Sequence, residues 1–238
     1  MIRFYAPDIE TTATLPETES GHAVRVLRKR EGDEIEVVDG KGTLYRCVIA
    51  GASPKGVLVQ VRESISLPKV WTPSITLAVA PTKHADRMEW LIEKAVEIGV
   101  DRFVPLRCER SERKELKTER IEKIAVSAMK QSLKAVLPQI DGTTRLADFL
   151  KECRDADCQK FVGYCDADTE RALLAKTCRP GADTVVLIGP EGDFSPAEIK
   201  ACFEAGFKAV TMGDNRLRTE TAALVGLDTV HIINQAFS

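Results

Sequence analysis

The sequence predicts an α/β protein in two parts, a small β-rich module over residues 1–70 followed by a larger domain over 71–238 in which strands alternate with helices. Three observations point there. Proline-bearing segments, Leu67-Pro68-Lys69 and Trp71-Thr72-Pro73, interrupt the pattern between two styles of sequence. Before them, short β-branched runs are punctuated by glycine turns. After them, apolar residues recur at helical spacing between short apolar runs. At 238 residues and 44% hydrophobic content the chain can bury a substantial core, as one large or two modest domains.

Taken in order, Glu34 to Val38 reads as a strand, Asp39-Gly40-Lys41-Gly42 as a turn, and Leu44 to Ile49 as the returning strand. Val57 to Val61 adds another, and short strands joined by glycine turns favour a small barrel. In the second part Ile75 to Ala80 is a strand, and Met88, Leu91, Ile92, Ala95 and Val96 share one helical face that stops at Gly99. Phe103 to Leu106 is the next short strand, and Thr118 caps a helix presenting Ile121, Ile124, Ala125 and Ala128. Thr184 to Ile188 is a buried strand that ends at a Gly-Pro turn. Ser195, Pro196 and Glu198 together spell a capping box with proline at the first helical position. Ala205-Gly206 stops that helix, Lys208 to Met212 forms a strand, and Gly213-Asp214-Asn215 turns. Thr219 then caps a last helix carrying Ala222, Ala223, Val225 and Leu227.

Composition narrows the function classes. Lys+Arg 34 against Asp+Glu 36 leaves a formal charge of −2, so any contact with nucleic acid must come from local basic patches. The seven cysteines are irregularly spaced, and no secretory leader is evident, so reduced thiols and a cytoplasmic location are expected. Three scattered histidines and no Cys-x-x-Cys pair argue against a metal site. No apolar stretch is long enough to cross a bilayer.

The chemistry concentrates near the C-terminus. Leu187-Ile188-Gly189-Pro190-Glu191-Gly192-Asp193-Phe194 is followed, one strand later, by Met212-Gly213-Asp214-Asn215-Arg216-Leu217-Arg218-Thr219-Glu220-Thr221-Ala222. Each is a glycine-bearing turn between an apolar strand and a helix, a pattern suited to one ligand pocket built largely from backbone. Gly189 and Gly192 can take positive φ and admit a ligand close to the chain. By itself the first turn also reads as a plain strand-to-helix connection, and the second as a solvated capping loop. No Lys-Ser/Thr pair completes a phosphate-binding loop, and the spacing is not that of a dinucleotide fingerprint.

At these residues the chain resembles the knotted SPOUT methyltransferases, and more closely the RsmE family of 16S ribosomal RNA uridine N3 methyltransferases. The resemblance covers most of the chain, and Gly189 to Phe194 and Leu217 to Leu224 carry it most strongly. It implies an N-terminal PUA-like RNA-binding β-barrel and a C-terminal SPOUT domain with a trefoil knot, an exception to the unknotted-chain rule. It also implies S-adenosylmethionine held by the knot's loops, with Leu187, Gly189, Pro190, Glu191 and Gly192 on one side and Met212, Gly213, Leu217, Arg218, Thr219 and Ala222 on the other. A homodimer acting on 16S ribosomal RNA in the small subunit follows from the same resemblance.

Two basic clusters are candidate RNA contacts. Arg25, Arg28, Lys29 and Arg30 follow His22 in a helical stretch and read equally as phosphate anchors or as a solvated basic face; the resemblance favours the former. Arg107 and Arg110 lie in a stretch interleaved with Glu109, Glu112 and Glu115, where an internally ion-paired loop is the alternative. Gln131 is a further base or RNA contact. The flanking Lys130 and Lys134 stand where the family commonly carries a glutamate and an arginine, and Asp193 stands where glycine is common.

Methyl transfer to uracil N3 needs alignment behind the activated methyl, and the N3 proton must leave. Arg218 is the candidate for stabilising charge that develops on the base oxygens, and Glu220 the candidate proton acceptor. Glu220 reads equally as an acid compensating a helix N-terminus. Ribose 2′-O methylation is the runner-up reaction, and a noncatalytic RNA-binding protein on a knotted scaffold is the rival class.

Overall fold

The computed structural model describes residues 2–164 and 171–237. Two compact units emerge, Met1–Val70 with Val126–Leu137, and Trp71–Ala125 with Pro138–Ser238.

The first unit runs β1 (Arg3–Tyr5), α1 (Ile9–Thr12), α2 (Glu17–Gly21), a π-helical turn (His22–Val26), β2 (Glu34–Val38), β3 (Thr43–Gly51) and β4 (Leu58–Ser66). Its sheet has the order β1-β2-β3-β4, with β1 parallel to β2 and the remaining pairs antiparallel. Register shifts at Arg46/Cys47 and Ile49/Gly51 mark bulges, which increase local twist and let the sheet curl over its core. Phe4, Ile35, Val37, Cys47, Ile49 and Val59 fill that core from the strands, and Ile9 of α1, Leu15 of the segment between α1 and α2, and Ala23 of the π-helical turn close it. The Asp39–Gly42 turn is organised by one carboxylate, since Asp39 Oδ1 accepts from Lys41 N at 2.7 Å and Thr43 N at 3.0 Å. A later piece of chain completes the unit. Gly42 N donates to Ala135 O at 3.0 Å, Leu137 N donates to Gly40 O at 2.9 Å, and the Arg3 guanidinium donates to Leu133 O.

The second unit contains β5 (Ile75–Val79), α3 (Ala85–Ile98), β6 (Arg102–Arg107), the start of α4 (Thr118–Gln131), β7 (Gln139–Ile140), β8 (Thr144–Arg145) and α5 (Leu146–Cys153). It continues through β9 (Gln159–Gly163), β10 (Ala172–Leu173), α6 (Leu174–Thr177), β11 (Thr184–Ile188), α7 (Pro196–Glu204), β12 (Lys208–Thr211) and α8 (Thr219–Phe237). The sheet order is β10-β12-β9-β11-β5-β6-β7, β8 pairs with β6, and every pairing is parallel. A parallel sheet covered on both faces needs unbroken apolar strands, and Thr184–Ile188 is buried at every position. One face packs Phe149 of α5 and Ile199 and Cys202 of α7 with Val104, Val162 and Leu187. On the other, α8 and α3 pack against each other, and α8 also contacts β5 and β11.

Local signals set several boundaries. The helix predicted before Gly99 ends there, and Ser195 Oγ accepts from Glu198 N at 3.3 Å while Glu198 Oε2 accepts from Ser195 N at 2.9 Å. With Ser195 buried, Ser195→Ala strands the Glu198 amide, while the backbone amide of residue 195 still reaches the Glu198 carboxylate. We expect a loss of about 1 kcal/mol, read as a lowered midpoint in urea with an unchanged slope.

Candidate functional site

In an open parallel sheet, ligand sites form beyond the carboxyl ends of the strands. Here the segments leaving β5, β6, β11 and β12 converge at that edge. Lys83 N donates to Glu191 Oε2 at 3.2 Å, and the Arg113 Nη2 donates to Lys83 O at 2.9 Å. Arg110 Nη1 donates to Gly192 O at 3.2 Å and to Phe194 O at 3.3 Å. Glu109 N donates to Glu198 Oε1 at 2.7 Å. The two glycine-bearing turns are themselves joined, because Thr219 Oγ1 donates to Gly189 O at 3.2 Å. Thr219 is therefore the first residue of α8 with its hydroxyl spent on the opposite turn, rather than the side-chain cap expected from sequence.

The glycines act differently from the sequence expectation. Neither Gly189 nor Gly192 takes positive φ; the left-handed residue in that turn is Asp193, at φ 60°. Glycine enters that conformation without strain, and Asp193 enters it with Oδ1 accepting from Phe194 N at 2.8 Å. Gly189 is required by closeness instead: a Cβ there would lie 2.8 Å from Phe194 Cε2. Gly213 has φ 138°, a conformation that side-chain-bearing residues rarely adopt, and open space where a Cβ would point. Leu187 and Pro190 are buried, Met212, Leu217 and Ala222 are half-buried, and Glu191 and Gly192 are exposed.

Beside these turns lies a recess of about 450 Å³ lined by Asp86, Arg87 and Trp90 of α3 and by Arg218, Glu220 and Thr221. Arg218 is exposed, whereas the Glu220 side chain is only 8% exposed. Glu220 Oε1 stands 3.7 Å from Arg87 Nε, and its Oε2 is buried without a hydrogen-bond partner. A buried carboxylate oxygen left unpaired costs free energy unless a ligand supplies a donor. Sequence reasoning missed Asp86, Arg87 and Trp90. The available signal was that Arg87 and Trp90, three residues apart, are neighbours on the helix surface beside the apolar stripe of Met88, Leu91 and Ile92.

Thiol and metal chemistry is not built into this edge. The six described cysteines are free, and burial pushes the thiols of Cys47, Cys153 and Cys202 up to about 11, about 12 and about 12. Cys108, next to the converging turns, is also pushed up by burial, so it is a packed thiol and not a nucleophile. Among the described residues no group of three or more His, Cys, Asp or Glu could hold a metal ion, and no helix is long and apolar enough to cross a membrane.

Two family models divide the chain much as its architecture does. An RNA methyltransferase PUA domain matches residues 15–62, and an RNA methyltransferase domain matches residues 71–231. A ribosomal RNA small subunit methyltransferase E of Mycobacterium tuberculosis is 33% identical over 95% of this chain and 88% of its own length. The chain belongs to the ribosomal RNA small-subunit methyltransferase E family. A solved structure from Porphyromonas gingivalis described as a "probable rRNA-methyltransferase" superposes with a TM-score of 0.93 at 43% identity, covering 100% of both chains. The family enzyme from Neisseria gonorrhoeae, solved bound to S-adenosyl methionine, gives 0.86 at 26% identity over 98% of both.

Within this methyltransferase the basic residues singled out from sequence have unequal roles. Arg25 lies exposed in the π-helical turn, but the helix ends at Val26, and Arg28 takes φ 54° in the following loop. Lys29 Nζ donates to Glu34 O at 3.2 Å, so its charge is tethered, while Arg28 and Arg30 are exposed. The expected continuous helical cluster is thus a turn and a loop. In the second unit Arg107 is exposed at the end of β6, whereas Arg110 is committed to the Gly192 and Phe194 carbonyls. Gln131 is exposed at the end of α4, in the part of that helix belonging to the first unit.

Lys130, one of the departures from the family pattern, has a local explanation. Its Nζ sits 2.5 Å from Glu19 Oε1, with side-chain exposures of 18% and 12%. Lys130→Ala would leave the Glu19 carboxylate unpaired in a poorly hydrated place. We expect a loss of about 2 kcal/mol, short of the ~3–5 kcal/mol of a fully buried pair. The double variant Glu19→Gln, Lys130→Met should recover most of it in a urea titration.

Proposed function

We propose that this methyltransferase modifies N3 of a uridine in small-subunit ribosomal RNA, using S-adenosylmethionine, on the assembled subunit and in the cytoplasm. The observation that carries this reading is the unpaired Glu220 oxygen, on a residue that lines one recess with Arg218. The exposed Glu191–Gly192 backbone, the open side of Gly213 and the half-buried Met212, Leu217 and Ala222 would hold the donor, with Leu187, Gly189 and Pro190 as its floor. Arg218 and Thr219 open the helix at its other edge. Exposed backbone at one turn and half-buried apolar side chains at the other suit a ligand with both polar and apolar parts, as S-adenosylmethionine has.

When bound, S-adenosylmethionine supplies a methyl group on a sulfonium; the N3 lone pair forms the new C–N bond as the C–S pair departs with sulfur in S-adenosylhomocysteine. The chain's own residues do the rest. Glu220 Oε2 accepts the N3 proton, and a carboxylate with one oxygen near Arg87 and the other unpaired is poised to take it. Arg218 donates to the base oxygens, on which charge grows as that proton leaves. Arg25, Arg28 and Arg30, with Arg107 and Gln131, contact RNA, and their phosphate contacts anchor without reading sequence. Lys29 and Arg110 support the loops that present them. The active form is a homodimer, as the family resemblance implies, and Ile232 on α8, 57% exposed, is one apolar residue available to a second copy.

Methyl-labelled S-adenosylmethionine, purified protein and unmethylated small subunits test the reading, with labelled nucleosides identified by mass spectrometry. N3-methyluridine is expected. A 2′-O-methylated nucleoside would refute the N3 assignment, and no label with demonstrated donor binding would refute catalysis. Light scattering at micromolar concentration should give twice the mass of the 238-residue chain.

A further inference from the structure

We propose that the recess between α3 and the start of α8 seats the target uracil itself, with Trp90 as its stacking surface and Arg87 as the positioning residue for Glu220. This rests on the N3 reading above and adds the residues that would distinguish uracil from cytosine.

An amphipathic helix normally buries its aromatic residues, and α3 buries Met88, Leu91 and Ile92 completely. Trp90 is 46% exposed and faces the recess instead. A half-exposed indole beside cationic side chains is the platform on which an unstacked base settles, and such stacking is indifferent to which base it is. Selectivity must come from the edge. Uracil presents an N3–H donor between two carbonyl acceptors, whereas cytosine presents an acceptor at N3 and a donor at its exocyclic amine. Glu220 Oε2, buried and unpaired, is the acceptor that N3–H requires, and Arg218 is a donor for a flanking carbonyl. Cytosine would set its N3 lone pair against the carboxylate, a mismatch more costly than a merely missing contact.

Arg87 completes the arrangement from behind. Its side chain is 31% exposed, and its Nε lies 3.7 Å from Glu220 Oε1, an ion pair rather than a short hydrogen bond. It holds the Glu220 carboxylate at the wall of the recess. The volume of about 450 Å³ has room for a nucleotide and lies within the usual range of ligand sites.

The test uses full-length protein, labelled S-adenosylmethionine and unmethylated small subunits. Trp90→Ala should raise KM for subunits roughly tenfold or more with kcat nearly unchanged, and Trp90→Phe should restore most of the affinity. Arg87→Gln should lower kcat roughly tenfold or more with donor binding intact, and Arg87→Lys should recover part of it. The melting temperatures of the two Trp90 variants should stay close to that of the unaltered protein, since that side chain is partly exposed, and any fall in Arg87→Gln, which takes the cation from the buried Glu220, should be recovered in Arg87→Lys. Tryptophan fluorescence gives an independent readout: a uridine pentanucleotide should quench the emission, a cytidine pentanucleotide should quench it far less, and Trp90→Phe should abolish the difference. Equal quenching by both oligonucleotides, or unchanged kinetics in Trp90→Ala and Arg87→Gln while the unaltered protein makes N3-methyluridine, would overturn the inference. A different labelled nucleoside from the unaltered protein would overturn the N3 reading itself, and the uracil assignment of the recess with it.

Discussion

Arg218→Ala is expected to reduce methyl transfer by roughly 10²–10³-fold while S-adenosylmethionine still binds, because it removes a donor aimed at charge that exists mainly in the transition state. The structure favours a clean experiment. Arg218 is exposed, lines the recess, and makes no ion pair or side-chain hydrogen bond among the described residues, so its loss should not disturb folding. Its backbone carbonyl, which accepts from Ala222 N at 2.8 Å and starts α8, is unaffected by truncating the side chain. Arg218→Lys retains charge but not the planar fork, and should fall between the two. Single-turnover rates with saturating donor, alongside donor binding by calorimetry, make the measurement. Turnover within twofold of the unaltered protein would remove Arg218 from the chemistry.

Gly189→Ala is expected to have the largest effect on stability. The added methyl would meet the Phe194 ring at 2.8, 3.0 and 3.1 Å, and Phe194 is only 2% exposed, in the same cluster as Leu187 and Ile199. A ring at the end of a flexible surface side chain could swing away; one packed in a core cannot do so without displacing its neighbours. Overpacking of this kind costs about 1–3 kcal/mol, which for a domain of this size lowers Tm by roughly 2–12 °C. The same shift would also move the Gly189 carbonyl that receives Thr219 Oγ1, so donor affinity should fall with stability. Thermal melts with and without S-adenosylmethionine separate the two effects. A melting temperature unchanged in both conditions would mean that the turn relaxes freely and that the close approach does not matter.

Local signals carried much of this fold. The strand Thr184–Ile188, the Ser195 capping box, the Gly99 stop and the Asp39–Gly42 turn were all readable because each depends on residues a few positions apart. The middle of the chain was not readable in that way. The strands β7, β8 and β10 have two residues each, too few for any periodicity to register, and α5 and β9 went unread although Asp141-Gly142 marks a turn just before them. That residues 126–137 fold with the first unit was also invisible, since it rests on hydrogen bonds such as Gly42 N to Ala135 O between residues far apart in the chain.

The site divides along the same line. By itself the sequence determined that two glycine-bearing turns near the C-terminus end apolar strands and open helices, and their motifs carried the family resemblance. Only the tertiary structure decided that Thr219 bonds Gly189, that Asp193 and not its neighbouring glycines takes the left-handed conformation, and that Arg110 is spent on the Gly192 turn. It also decided that Arg87 and Trp90, more than a hundred residues before Glu220, share a recess with it. Caps, turns and periodicity are short-range preferences written in consecutive residues. The meeting of α3 with α8 is set by the order of parallel strands and the packing of helices across them, which no window of sequence contains.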